Sequence, residues 1–169
     1  MTVVAGLDLS LTGTGIATPA GLTTIRSTPD SGTLTARRRR LTHIAADTIR
    51  TIHDAGLVII EAPAHSRTTG HHHDRSGLWW LIVADLLNRG TDVVEVAPTS
   101  LKKFATGRGN ATKPDMRVEL LKRAGIDVRD DNQVDAYWLR QIGLHLTADT
   151  DALPLPQTHL DALTKVTHP

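Results

Sequence analysis

Apolar positions along the chain fall into short unbroken runs near the start and into helical spacing further on. Val3 to Asp8 is an apolar run closed by an acid; Gly15 to Thr18 and Leu22 to Ser27 follow, parted by Pro19-Ala20-Gly21, and the three read as strands. Leu41, Ile44, Ala45, Thr48, Ile49 and Ile52 then recur every three or four residues, which predicts a helix over about 34–54. "LVIIE", Leu57 to Glu61, is a second strand that ends in an acid. The polar stretch "APAHSRTTGHHHDRSG" leads into "LWWLIVADLLNRG", a helix apolar on nearly every side and closed by Gly90. Asp92 to Val96 is a fifth strand, and helices are expected at about 98–105, 113–124 and 131–147, before a Pro-rich tail.

Three strands in a row, then helices alternating with strands, predict an α/β sandwich built on one five-stranded mixed sheet. The first three strands form an antiparallel meander, and the last two join through helical crossovers. The chain divides into a single domain over residues 1–147 and a tail over 148–169, with room for a short helix. In such sheets, sites form beyond strand ends where neighbouring strands diverge. Asp8 and Glu61 each end a buried strand, which puts both at one edge of the same crevice.

Composition narrows the chemistry. There is no cysteine, which excludes disulfides and thiolate metal sites. No stretch approaches the roughly 20 apolar residues of a membrane span. The start enters a strand with no basic leader, so a cytoplasmic location is expected. Net charge is +1 and by itself points nowhere, but its distribution does. Residues 98–123 hold Lys102, Lys103, Arg108, Lys113, Arg117, Lys122 and Arg123 against Asp115 and Glu119 alone. That local excess is either a phosphate-facing surface or a solvated helix face. Arg37 to Arg40 form a denser run with no aromatic nearby, and read as solvated.

A further acidic group lies in "DVRDDNQVDAYWL". On a helix, Asp131 and Asp135 share a face, as do Asn132 and Asp135. Capping and the helix dipole account for Asp130 and Asp131. They account poorly for Asp135, which precedes the apolar "AYWL" and must lie near the core. Converging carboxylates repel one another and raise their own pKa values unless a cation neutralises them. Oxygen donors without cysteine suit Mg²⁺ or Mn²⁺.

"GLDLSLTGTGIA", "VIIEAP", "VAPTSLKKFATGRGNATKPDM" and "DDNQVDAYWL", in this order and at these spacings, resemble the RuvC family of Holliday junction resolvases, in particular its short phage-type and actinobacterial members. The likeness spans residues 3–146. It implies an RNase H-like fold, a homodimer, branched DNA as partner, a bacterial or phage-infected cell, and hydrolysis of phosphodiesters with two Mg²⁺ or Mn²⁺ per active site. Asp8, Glu61 and Asp135 match three of the family's four acidic ligands. Lys102 and Lys113 match its two functional lysines near the scissile phosphate, with Lys103 and Arg108 alongside as further DNA contacts. Asp8, central to the constellation, is the expected bridging ligand of the two cations, and Lys113 is expected to neutralise charge developing on the phosphoryl group; the resemblance implies products with 5′-phosphate and 3′-hydroxyl ends.

Two positions depart from that pattern. The family carries an acid or His three residues before the last Asp, where this chain has Asn132; Asp131 is the nearest substitute, and both stand as candidates for the fourth ligand. The loop after Glu61 lacks the aromatic that wedges into junctions and offers His65, Arg67 and His71 to His73 instead. His65 and Arg67 are candidate DNA contacts. For the three consecutive His, a metal, a phosphate or base contact, and an inert loop stay open, although adjacent side chains do not converge on one ion. Trp79 and Trp80, among Leu78, Leu81, Ile82 and Val83, read as core or interface, and Tyr137 and Trp138 as core. One apolar stripe of that helix, Leu78, Leu81, Ile82 and Leu86, suffices to cover a sheet; a second, Trp79, Val83 and Leu87, calls for a partner chain. Two other readings remain: a non-cleaving junction-binding protein, suggested by Asn132, and an actin-like or sugar-kinase ATP-binding domain, suggested by "DLSLTGTG" alone.

Overall fold

The computed structural model describes residues 2–63 and 72–166. Five strands, β1 (Val4–Asp8), β2 (Gly13–Thr18), β3 (Gly21–Arg26), β4 (Leu57–Glu61) and β5 (Asp92–Val96), form one mixed sheet in the order β3-β2-β1-β4-β5. The first three pair antiparallel; β1, β4 and β5 run parallel. Helices α1 (Leu34–Thr51) and α2 (His72–Asn88) cover one face. Helices α3 (Pro98–Thr106), α4 (Lys113–Ala124), α5 (Asp131–Leu146) and the short α6 (Gln157–Leu160) cover the other. This is the five-stranded mixed sheet expected from the pattern. No helix among the described residues is long and apolar enough to cross a membrane.

Both faces of the central strands are buried, so β1 and β4 read as continuous apolar runs and their period is visible only in what each side chain packs against. Val58 and Ile60 join Ala5, Leu7, Ile44 and Ile82 on the α1/α2 face. Leu57 and Ile59 join Val4, Leu101, Phe104 and Trp138 on the α5 face. Asp8 and Glu61 continue the alternation of Val4 and of Leu57 and Ile59, so both turn toward α5. The register that sets Leu7 beside Ile60 then makes the two acids neighbours.

Helix α5 lies directly on the backbone of β1 and β2. A Cβ at Gly6 would stand 2.1 Å from the Ala136 carbonyl oxygen, and one at Gly15 would stand 2.0 Å from that of Asn132. Trp138, fully buried, donates its indole N–H to the Met116 carbonyl and so ties α5 to α4. The start of α4 is sharply defined: Thr112 accepts from the Asp115 N–H, Asp115 accepts from the Thr112 N–H, and Pro114 lies in the first turn.

Three features differ from the sequence reading. Helix α2 starts at His72, inside the stretch expected to be loop, because Asp74 suits its first turn and is held by Arg37 of α1. Arg37 and Arg40 are accordingly engaged rather than free: Arg37 holds Asp74, and Arg40 donates to Ser27 Oγ and the Leu11 carbonyl and pairs with Asp30 at 3.6 Å. The outward stripe of α2 is Trp80, Leu81 and Leu87, at 63, 43 and 55 % exposure, whereas Val83 is buried in the sheet face. Beyond residue 147 the chain returns to the body. Ala162 and Val166 enter the α5-side core, and the buried His159 hydrogen-bonds through Nδ1 to the Phe104 carbonyl at 2.8 Å.

The close seat of α5 gives a testable consequence. Gly6→Ala forces the helix off β1 and is expected to lower stability by about 3 kcal/mol. Gly77→Ala, where the new Cβ meets only Leu41 Cδ1 at 3.7 Å inside α2, is expected to raise it by about 0.5–1 kcal/mol. Urea unfolding of the two variants checks both signs.

Candidate functional site

Asp8 at the end of β1, Glu61 at the end of β4 and Asp135 one turn into α5 each offer a carboxylate oxygen within 4.8 Å of the others. Asp135 is 1 % and Asp8 7 % exposed, so little water reaches either carboxylate. Burial, and then the adjacent Glu61 carboxylate, push the Asp8 pKa up to about 7, against a pull from the Lys113 ammonium. Burial likewise raises Glu61, opposed by Lys113 and Lys102. The two carboxyls are close enough to share a proton, and burial together with their mutual repulsion favours holding one between them.

Lys113, the first residue of α4, reaches the cluster and sets its Nζ against Asp135 Oδ2. One ammonium cannot balance three carboxylates. Asp135 Oδ1 is buried with no hydrogen-bond partner among the described residues, an oxygen that the Lys113 ammonium on Oδ2 leaves unanswered. An all-oxygen set with an orphaned carboxylate oxygen fits a hard divalent cation.

Asp8 and Glu61 open into a cavity of about 260 Å³ whose wall includes Ser10, Arg75, Lys113 and Asn132, with Asp135 buried behind them. The two candidates for a fourth ligand part company here. Asn132 lines the cavity and donates Nδ2–H to the Gly13 carbonyl at 2.6 Å, which leaves Oδ1 as its remaining polar atom. Asp131 is turned away and pairs with Arg117 of α4 at 2.5 Å, with the same guanidinium donating to the Arg129 carbonyl. Asp131 therefore clamps α4 to the start of α5. Asp130 caps α5 through the Asn132 N–H and accepts from Thr24 Oγ1 and Arg26, and its charge adds to the upward push on Asp8.

Of the basic residues marked in the sequence, Lys113 and Lys102 act on the acids. Arg108 pairs with Asp115 at 3.6 Å, and Lys103 lies half-buried on α3. His65, Arg67 and His71 lie outside the described residues; His72 lines the cavity and His73 is exposed. Sequence reading missed two wall residues. Trp79 donates its indole N–H to the Glu61 backbone carbonyl at 3.3 Å, which holds the end of β4. Arg75 reaches the cavity from the first turns of α2, and only a helix starting earlier than expected puts it there.

No protein-family model matches the sequence, and no curated protein matches it. Solved structures do match. RuvC of Thermus thermophilus in complex with a Holliday junction substrate is 17 % identical and superposes with a TM-score of 0.70 over 90 % of this chain and 98 % of that one. A second T. thermophilus RuvC structure is 19 % identical, with a TM-score of 0.69 over 90 % and 99 %. The yeast mitochondrial Holliday junction resolvase is 12 % identical, with a TM-score of 0.52 over 81 % and 75 %. At these identities the likeness is one of fold: the sheet order and flanking helices are RuvC-type and RNase H-like.

The raised carboxyls give the metal-free protein a defined pH dependence. The folded state holds a proton on Asp8 up to about pH 7, whereas the unfolded chain releases it near 3.8. The contribution of Asp8 to stability is therefore fully present below about pH 4 and is lost as pH rises toward 7. In EDTA the melting temperature is expected to fall across that window, and Asp8→Asn is expected to flatten the decline and melt above the parent at pH 8. Mg²⁺ is expected to restore the parent more at pH 8 than at pH 5. Thermal melts over pH 4–9 measure all three.

Proposed function

We propose that this RuvC-fold chain is a structure-selective endonuclease that resolves four-way DNA junctions by divalent-metal-dependent hydrolysis of phosphodiester bonds. The observation that carries the reading is the convergence of carboxylate oxygens of Asp8, Glu61 and Asp135 within 4.8 Å of one another, with Asp135 Oδ1 unpaired among the described residues and Lys113 against its Oδ2. Asp8, Glu61 and Asp135 would hold Mg²⁺ or Mn²⁺, with Asn132 Oδ1 the further donor. Two such ions would supply an activated water and charge neutralisation at the attacking and leaving oxygens.

The chain's own groups do the rest. Lys113 brings a fixed positive charge to the phosphoryl group as its charge develops, an electrostatic term stronger in a site that excludes water. Trp79 and the Gly13–Asn132 hydrogen bond hold the donors in place before substrate arrives. Lys102, Lys103 and Arg108 on and beside α3 supply sequence-independent attraction for DNA phosphates. The products carry 5′-phosphate and 3′-hydroxyl ends.

The exposed Trp80, Leu81 and Leu87 support a homodimer across α2. A contiguous apolar stripe of this kind is covered when a twofold partner brings its own copy. Two sites related by a twofold axis suit a four-way junction, in which two strands of like polarity are cut to leave ligatable duplexes. The localisation that fits this substrate is the cytoplasm of a bacterial or phage-infected cell.

Cleavage of a synthetic four-way junction in Mg²⁺, abolished by EDTA, tests the reading. Asp8→Asn is expected to lower the rate by roughly 10²–10³-fold or more while junction affinity stays equal or tightens, because removing negative charge eases phosphate approach. Tight junction binding by the parent with no cleavage in either metal would instead favour the non-cleaving binder, which the uncharged Asn132 makes the specific rival. Light scattering at micromolar concentration is expected to give a dimer mass, and Trp80→Glu with Leu87→Glu a monomer that no longer cuts both strands together.

A further inference from the structure

The Arg37–Arg40 run, read from sequence as solvated, borders a groove that none of the site chemistry uses. The acidic cavity shares Ser10 and Arg75 with a second cavity of about 520 Å³. That cavity shares Thr12, Pro29, Asp30 and Arg40 with a third of about 750 Å³, which ends at Arg26, Arg39 and His43. The three lie side by side with shared walls, and so trace a channel from the Asp8 and Glu61 carboxylates, past the β1–β2 turn, to Arg26 at the end of β3.

The arginines along it are sorted by role. Arg37 and Arg40 build the wall, through Asp74 and through Asp30, Ser27 and Leu11. Arg39 and Arg75 are exposed on the channel and make no ion pair among the described residues. Arg26 pairs with Asp130, yet its side chain is 75 % exposed. Arg38, on the same helix, is exposed but lines neither cavity. Hydroxyls of Ser10 and Thr12 line the floor, and the two acids present, Asp30 and Asp74, are engaged by Arg40 and Arg37. An open channel with outward guanidiniums and hydroxyls suits a chain of phosphates.

We propose that this channel binds the DNA phosphate backbone on one side of the cleaved bond, a track separate from the α3–α4 surface, which lies on the other face of the sheet. Arg75 holds the phosphates next to the acids and Arg39 those further out. The inference rests on the nuclease reading for its substrate, and it assigns contacts that the family-like lysines do not provide.

The test measures binding of a fluorescent long-armed junction and of a linear duplex, in EDTA, over a range of KCl. Arg39→Ala with Arg75→Ala is expected to weaken binding about tenfold near 0.1 M salt and to lower the slope of log K against log salt by about 2, the value for two lost phosphate contacts. Arg38→Ala should leave both unchanged. Phosphate ethylation is expected to interfere with the parent at backbone positions on one side of the cut, and the double variant should lose that interference. A glutamine pair, which keeps part of each stem, gives the same comparison if the alanine pair folds poorly. A double variant with the parent's affinity, slope and interference pattern overturns the channel, as does an Arg38→Ala loss of equal size, which would mark diffuse charge. A parent that binds duplex and junction equally overturns the junction reading instead, and the channel is then judged on the duplex slopes alone.

Discussion

The site depends on the absence of side chains between α5 and the strands beneath it. At Gly6 and Gly15 the helix backbone meets the β1 and β2 backbones at distances no Cβ allows. Only at that separation does Asp135, one turn into α5, come level with Asp8 and Glu61 at the strand ends. The packing of α5 and the geometry of the acids are thus one constraint, and a change that lifts the helix changes both.

Drawing three carboxylates together out of water is unfavourable, and the surrounding charges are arranged around that cost. Lys113 is pinned by a capping box at the first position of α4 and meets Asp135. Arg117, one turn further along α4, takes Asp131 away from the cavity and so keeps a fourth full negative charge out of it. Asn132 takes the cavity-facing position with a neutral amide. What is left is a cluster of three carboxylates against one contacting ammonium, with one buried carboxylate oxygen unanswered among the described residues. A folded protein tolerates such a site when a ligand completes it.

Positive charge lies on both faces of the sheet for different reasons. On the α3–α4 face it comes from a segment that is basic in sequence. On the α1–α2 face it comes from a run of four arginines of which two are spent on structure, so composition overstates the charge while folding selects which guanidiniums face outward.

Much of this was legible in the chain. Strands ending in acids, an Asp set against an apolar helix run, and a lysine-rich segment between them carry their meaning locally, because period, caps and strand ends are set by neighbouring residues. The five strands and the helices after β5 follow from that pattern to within two residues at most ends. Other features depend on residues far apart in sequence and had no local signal. The start of α2 rests on Asp74 meeting Arg37 across two helices, and the outward stripe of α2 on how that helix is rotated over the sheet. That Asp131 turns from the cavity while Asn132 lines it rests on Arg117, fourteen positions from Asp131. By itself the sequence determined which residues are acidic, basic or apolar and which element each belongs to; only the tertiary structure decided which charges meet, since a pairing between distant side chains exists only once the helices have been set down on the sheet.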